Sequence, residues 1–311
     1  MGRWGVASSQ VAVCTDLGLI HLADCLGSPA RADRWLAEFL GAVPVVERIV
    51  LDVASVSFVC PYGAVLLLSV CQHLARERGR PVQLVGLQDH VHAYLRRLDF
   101  FETGAGAVVG TGRLPWGAQL PRSVASLNVL ELTVVRSLRE VYEATARALL
   151  IVKTWLGLDV GVAHRVACCI AEACENVIEH SQSSGVVVAQ KYEYAGWTEV
   201  QLAIADLGIG IRQSLHRAYA GLEETPAGWI KRAVAGLSSR PERGGLGLGE
   251  IRHLATQSGG SLLIRSGAGS AVYTPGHTRY ANLVDLSGLP GTQLAITLRD
   301  GGGAGRRAGV Q

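Results

Sequence analysis

Aromatic residues make up only 6% of the 311-residue chain and charged residues 18%, with a formal net charge of +3. So small a net charge, with no basic block carrying interleaved aromatics, gives no argument for nucleic-acid binding. The one dense basic spot, Arg306–Arg307, lies in a Gly-rich tail and reads as a solvated end. No apolar run approaches the roughly 20 residues that a membrane helix needs; Ala64–Val70 and Ala148–Val152 are far shorter. Met1–Gln10 is mixed and has no apolar leader core. The seven cysteines form no CxxC pair, which argues against zinc, and an odd number set in apolar segments reads as reduced thiols. A cytoplasmic protein with neither membrane nor nucleic-acid partners is the expectation. What is present is a composition 49% hydrophobic with a mean hydropathy of +0.25 spread along the chain, long enough for two domains.

The Gly- and Pro-containing stretch Gly104–Pro121 breaks the periodic pattern and reads as a linker. The expected division is a first domain at 1–104, a linker at 105–125, a second domain at 126–299 and a disordered low-complexity tail at 300–311. In the first domain Arg48–Val59 reads as a buried strand ending in a turn, Ala64–Gly79 as a helix, Pro81–Leu87 as a strand and Asp89–Phe101 as a helix. That is a βαβ pattern, hence α/β. In the second, Leu127–Thr133 reads as a strand, Ser137–Trp155 and Val162–Ser181 as helices, and Gly185–Tyr194 and Thr198–Asp206 as strands. An irregular segment follows, then a helix near Gly247–Ser258 and strands Ser261–Gly267 and Thr292–Leu298. Strands that mostly succeed one another imply α+β, with helices on one face of a mixed sheet.

The helix through "CIAEACENVIEHS", Cys169–Ser181, carries an unusual load of polarity. At ~100° per residue, Glu172, Glu175, Asn176, Glu179 and His180 form one stripe, opposite Ile170, Ala173, Cys174, Val177 and Ile178. On a generic helix such a stripe is a solvated face. Here no Lys or Arg is mixed into it, and Asn is a mediocre helix former. Oxygen donors in a row suit a hydrated divalent cation and a water to be deprotonated. Two further features stand downstream. "ADLGIGI", Ala205–Ile211, leaves an apolar strand with an Asp able to read an exocyclic amine, and with Gly208 and Gly210 admitting close backbone. "RGGLGLGEI", Arg243–Ile251, runs glycines into a helix start, either a hinge or an anion site.

Taken in this order over Ser126–Leu298, the motifs resemble the GHKL (Bergerat-type) ATPase superfamily, and most closely the anti-sigma-factor serine/threonine kinases. The resemblance implies ATP and Mg²⁺ as ligands. By it Glu172 is the general base, Asn176 the Mg²⁺ ligand, and Asp206 the partner of the adenine amine, with Gly208 and Gly210 backing the ring. Arg243, Gly245, Gly247 and Gly249 surround the phosphates in a mobile lid, and Thr292 helps anchor the nucleotide. His180 matches the family's helix-end His and reads as structural. The Gly-x4-Gly-Lys-Ser phosphate loop is absent from the sequence. The long Arg212–Glu242 segment fits a lid that orders around ATP.

Leu51–Leu87 resembles the STAS domain of anti-sigma-factor antagonists, whose phospho-accepting Ser precedes a Gly in the turn after a strand. Here that turn reads Cys60-Pro61-Tyr62-Gly63, with Tyr62 in the acceptor's place; it reads as a packed aromatic, and Ser55 and Ser57 as structural strand residues. The first half is therefore not expected to be the second half's substrate. The resulting reading is an ATP-binding regulatory protein, a signalling kinase or ATPase acting on an anti-sigma antagonist or sigma-like partner. The alternative is an ATP-gated protein-binding switch, and a homodimer is left open.

Overall fold

The computed structural model describes residues 4–6, 11–14, 18–43, 46–110, 129–155, 167, 170–178, 181, 183–239, 247–283 and 288–299. The first sheet takes six strands in chain order: β1 (Trp4–Val6), β2 (Val11–Cys14), β3 (Leu19–Leu22), β4 (Val50–Asp52), β5 (Val82–Val85) and β6 (Val108–Gly110). The first three are antiparallel and β3 to β6 are parallel. Parallel neighbours require crossovers, and these contain α1 (Pro29–Ala42), α2 (Pro61–Arg78), α3 (Asp89–Arg97) and the short α4 (Phe100–Thr103). The strand expected at Arg48–Val59 shrinks to Val50–Asp52, and Ser55 and Ser57 lie in the loop after it rather than in a strand. The helix expected at Asp89–Phe101 breaks at Asp99, which has φ 57. The stretch expected to be a linker supplies β6.

Helix α2 explains how the halves meet. Pro61 opens it at a position where no N–H is missed, the Cys60 sulfur accepts from Gly63 N–H, and Gly79 closes it at φ 66. Every residue from Pro61 to Cys71 is buried. A helix apolar all round needs cover on all sides, and here it lies between two sheets.

The second sheet has β7 (Val129–Val135), β8 (Gly185–Tyr194), β9 (Trp197–Asp206), β10 (Ser261–Gly267), β11 (Gly269–Thr274), β12 (His277–Asn282) and β13 (Leu289–Arg299). Their order is β12-β11-β10-β13-β9-β8-β7. Each pairing is antiparallel, so the sheet is not the mixed one expected. The physical reason is that β13 inserts between β9 and β10, which run in the same direction, so each of them meets an antiparallel neighbour. Side chains alternate across it: Val187, Leu202, Ile204, Leu294 and Ile296 face one core, while Val186, Val188, Ala203, Ala205 and Ala295 face the core that holds α2. On the first face lie α5 (Leu138–Trp155), α6 (residues 170–178), α8 (Pro226–Val234) and α9 (Gly247–Gln257), with α7 (Gly210–Ala218) beside them. Helices thus cover both faces, the second one being supplied by the first half.

The expected irregular lid at Arg212–Glu242 is, as far as residue 239, mostly α7 and α8, with Trp229 and Ile230 fully buried. The hairpin β11–β12 was not anticipated. Among the described residues no helix is long and apolar enough to cross a membrane.

One ion pair joins the halves inside this interface. Arg265 of β10 donates from Nε and Nη2 to the carboxylate of Asp33 in α1, and both side chains are buried. Removing one partner strands a buried charge, so Asp33→Ala is expected to cost about 3–5 kcal/mol in urea unfolding. The double change Asp33→Leu with Arg265→Met is expected to recover most of that loss.

Candidate functional site

At one end of β9, the chain turns from strand to helix within four residues, and the turn is crowded. A Cβ on Gly208 would sit 1.9 Å from the Ser181 carbonyl oxygen, and Ile209 N–H donates to that same oxygen at 3.1 Å. Gly210 has φ 72. Gly208 is therefore demanded by the chain crossing at Ser181, and Gly210 by its left-handed backbone beside Ser266 and Gly291, reasons independent of any ligand.

Asp206, the last residue of β9, is buried. Its carboxylate accepts from Gly208 N–H at 2.7 Å and from Thr292 N–H at 3.2 Å, and its carbonyl oxygen accepts from Gln293 Nε2 at 3.1 Å. Burial pushes the acid up from its ordinary 3.8 to about 6, against the lowering pull of the two N–H bonds. Ser266 of β10 holds the same corner: its hydroxyl accepts from Ile211 N–H at 2.8 Å and lies 3.0 Å from Gly291 O and 3.2 Å from Thr292 Oγ1.

From Asp206 a cavity of about 280 Å³ runs between α6, α7, α8 and α9. Ile204, Ile211, Leu294 and Leu248 give it an apolar wall, and Asp206, Thr292 and the α6 residues Glu172, Glu175 and Asn176 line it with polar groups. The described residues of the oxygen-bearing stripe, Glu172, Glu175 and Asn176, therefore face this cavity. Glu172 is open to solvent, yet its carboxyl is raised above the usual range, first by partial desolvation and then by the neighbouring Glu175 and Glu250. Gly247, the first residue of α9, lies against it: a Cβ there would come within 2.1 Å of Glu172 Oε2.

The structure thus brings Glu172, Asn176, Asp206, Gly210, Gly247 and Thr292 to one cavity. Gly208 and Gly249 are not on its wall; Gly208 packs on Ser181 and Gly249 against Val234 O. Arg243, Gly245, Glu179 and His180 lie outside the described residues. Ser266, Ser214, Ser238 and Ser239 were missed by sequence reasoning. A signal existed for Ser266 alone, as a polar residue in the apolar strand "SLLIRSG". Ser214 and Ser239, whose hydroxyls are 3.2 Å apart, had none, being 25 residues distant in an apparently irregular stretch. Among the described residues no group of three or more His, Cys, Asp or Glu could hold a metal ion.

Two outcomes follow from this geometry. Between about pH 4 and pH 6 the folded chain holds a proton on Asp206 that the unfolded chain has released. That contribution to stability is full below this window and lost as pH rises through it, so wild type minus Asp206→Asn should show a falling stability difference across it in urea titrations. Gly208→Ala should be destabilised by at least about 1–3 kcal/mol, because the added carbon meets backbone rather than a movable side chain.

Residues 137–270 match the family described as the histidine kinase-like ATPase domain. The matched segment begins just before α5 and ends in β11, so it contains Glu172, Asn176, Asp206 and the α9 start but neither Thr292 nor the first sheet. No curated protein and no solved structure matches the chain.

Proposed function

We propose that the cavity binds ATP together with Mg²⁺, and that the second half transfers the γ-phosphoryl group to a Ser or Thr hydroxyl of a separate regulatory protein in the cytoplasm. The observation that carries this reading is that Asp206, Glu172 and Asn176 line one partly apolar cavity within the segment matched to the histidine kinase-like ATPase domain. A buried carboxylate fixed by two N–H groups is an acceptor for an exocyclic amine, and flat apolar walls suit a purine ring.

Mg²⁺ keeps several waters and takes one or two protein oxygens plus phosphates. An amide oxygen beside carboxylates fits a metal that arrives with the nucleotide. Asn176 would hold it, and bound there it would neutralise phosphate charge. Glu172, raised toward neutrality by its surroundings, would take the proton of the attacking hydroxyl. A new O–P bond forms as the bond from the γ-phosphorus to the bridging oxygen breaks, and ADP carries away the electron pair.

The first half is read as a STAS-like docking module and not as the substrate. Tyr62, in the acceptor's place, is 1% exposed at the start of α2, and its phenol is raised well above its usual range, chiefly by burial. A second reading, an ATP-gated binding switch, is favoured by one contact: the start of α9 rests on Glu172, so an occupant of that end must displace it.

Calorimetry with an ATP analogue and Mg²⁺ tests the binding step. Asp206→Ala should weaken the analogue at least about tenfold, whereas Glu172→Gln should leave its affinity within about threefold and reduce phosphoryl transfer about 10²–10⁴-fold. Absence of heat with wild type overturns both readings. Full cellular function in Glu172→Gln overturns transfer and leaves the switch.

A further inference from the structure

The loop that follows β4 holds a constellation unrelated to the cavity. His21, near the end of β3, and Asp52, at the end of β4, are register partners on adjacent parallel strands. Their side chains meet with Nδ1 to Oδ2 at 3.1 Å, and His21 Nε2 lies 3.1 Å from the hydroxyl of Ser55. An ionised carboxylate only accepts, so the Asp52 contact places the proton on Nδ1. That leaves the Nε2 lone pair for the Ser55 O–H. Serine, imidazole and carboxylate therefore stand in the order, and with the ring polarity, of a base-activated nucleophile.

The loop is pinned in this conformation from several sides. Asp52 Oδ1 accepts from Ala54 N–H at 3.0 Å, folding Ser55 back over the strand ends, and Val53 N–H donates to Val85 O at 2.9 Å. From α3 and its start, Gln88 Nε2 donates to Ala54 O at 2.8 Å and the His90 ring bonds Ser57 O at 2.7 Å. Ser57 N–H donates to Asp24 Oδ1 at 3.0 Å. Gly86, at φ 72, is the residue that leaves room: a Cβ there would lie 2.7 Å from Asp52 Oδ1 and 2.8 Å from Ala54 Cβ. A hydroxyl that served only to solvate the loop would not need five such hydrogen bonds around its base. The site also lies at the carboxyl ends of parallel strands, where open α/β sheets present their reactive groups.

We propose that Ser55 is a nucleophile, with His21 as its general base and Asp52 as the residue that positions the imidazole. Its substrate class is an activated acyl ester. The Ser55 oxygen bonds to the carbonyl carbon while its proton passes to His21 Nε2. The bond to the leaving oxygen then breaks, and the leaving group takes that proton. Water, deprotonated by His21, releases the acid and regenerates the hydroxyl. Ser55 is exposed, so a small ester or one carried on an extended chain can reach it. This activity is independent of nucleotide and of the α6 cavity.

The test is labelling of the full-length protein by a fluorophosphonate probe, which forms a Ser Oγ–P bond and expels fluoride. Labelling mapped by mass spectrometry to Ser55, lost in Ser55→Ala and slowed at least about 100-fold in His21→Ala, is the expected result. Added imidazole should restore part of the His21→Ala rate. Asp52→Asn keeps an acceptor for Ala54 N–H but loses the lock on the ring proton, so it should slow labelling, with Asp52→Glu recovering part of the loss. Labelling of Ser55 no faster than of the nearby exposed Ser57, or an unchanged rate in His21→Ala, overturns the proposal. Unaltered circular dichroism of each variant ties the rates to chemistry rather than to folding.

Discussion

From Pro61 to Cys71, helix α2 has no face open to water, and the packing of the two halves follows from that. Pro61 to Cys71 are buried without interruption, which a two-layer α/β domain does not ordinarily require. The second sheet has a matching need, because β8, β9 and β13 are apolar on both sides. Each element left alone would expose a large apolar surface to water. Packed together, α2 becomes the shared middle layer and the two sheets lie on either side of it. The Asp33–Arg265 pair is then buried by geometry, and its bidentate contact fixes α1 against β10.

The consequence reaches the candidate site by a short path. Arg265 precedes Ser266, which ties the start of α7 to β13 beside Asp206. Alternation along β10 therefore gives one residue to the interface with the first half and the next to the corner of the cavity. Asp206 sits in the same kind of tension: its carboxylate is buried at a cost, visible in an acid raised to about 6, and is retained by two backbone donors aimed at it. Acids perturbed in this way cluster at functional sites. Glu172, on the same cavity, is raised first by desolvation and then by the neighbouring Glu175 and Glu250.

The first half retains a face of its own. Its parallel strands end at His21 and Asp52, and the loop that α3 and Gly86 fix in place returns Ser55 to them. That surface is built from β3, β4 and the loop after β4, whereas α2 is occupied with the second sheet. One half can thus be immobilised through its helices and still present chemistry at its strand ends.

Much of the second half could be read from sequence because its signals are local. The apolar run that opens Gly185–Tyr194 marks that strand to the residue, and the oxygen stripe of α6 is legible from its spacing. The segment after Gly210 reads as irregular from sequence because α7 and α8 are short and their apolar positions few, although Trp229 and Ile230 are core. The strand at Arg48–Val59 was overextended for the converse reason: an apolar run says that residues are buried, not that they are extended. Ser55 was set aside as structural because its partner His21 is 34 residues away in chain and has no motif to announce it. By itself the sequence determined the period and polarity of its long elements, since both depend on neighbours within a turn or two. Only the tertiary structure decided which polar residues meet, that both faces of the second sheet are covered, and that Gly208 answers to Ser181. Those facts depend on distances between segments remote in chain, which no local pattern encodes.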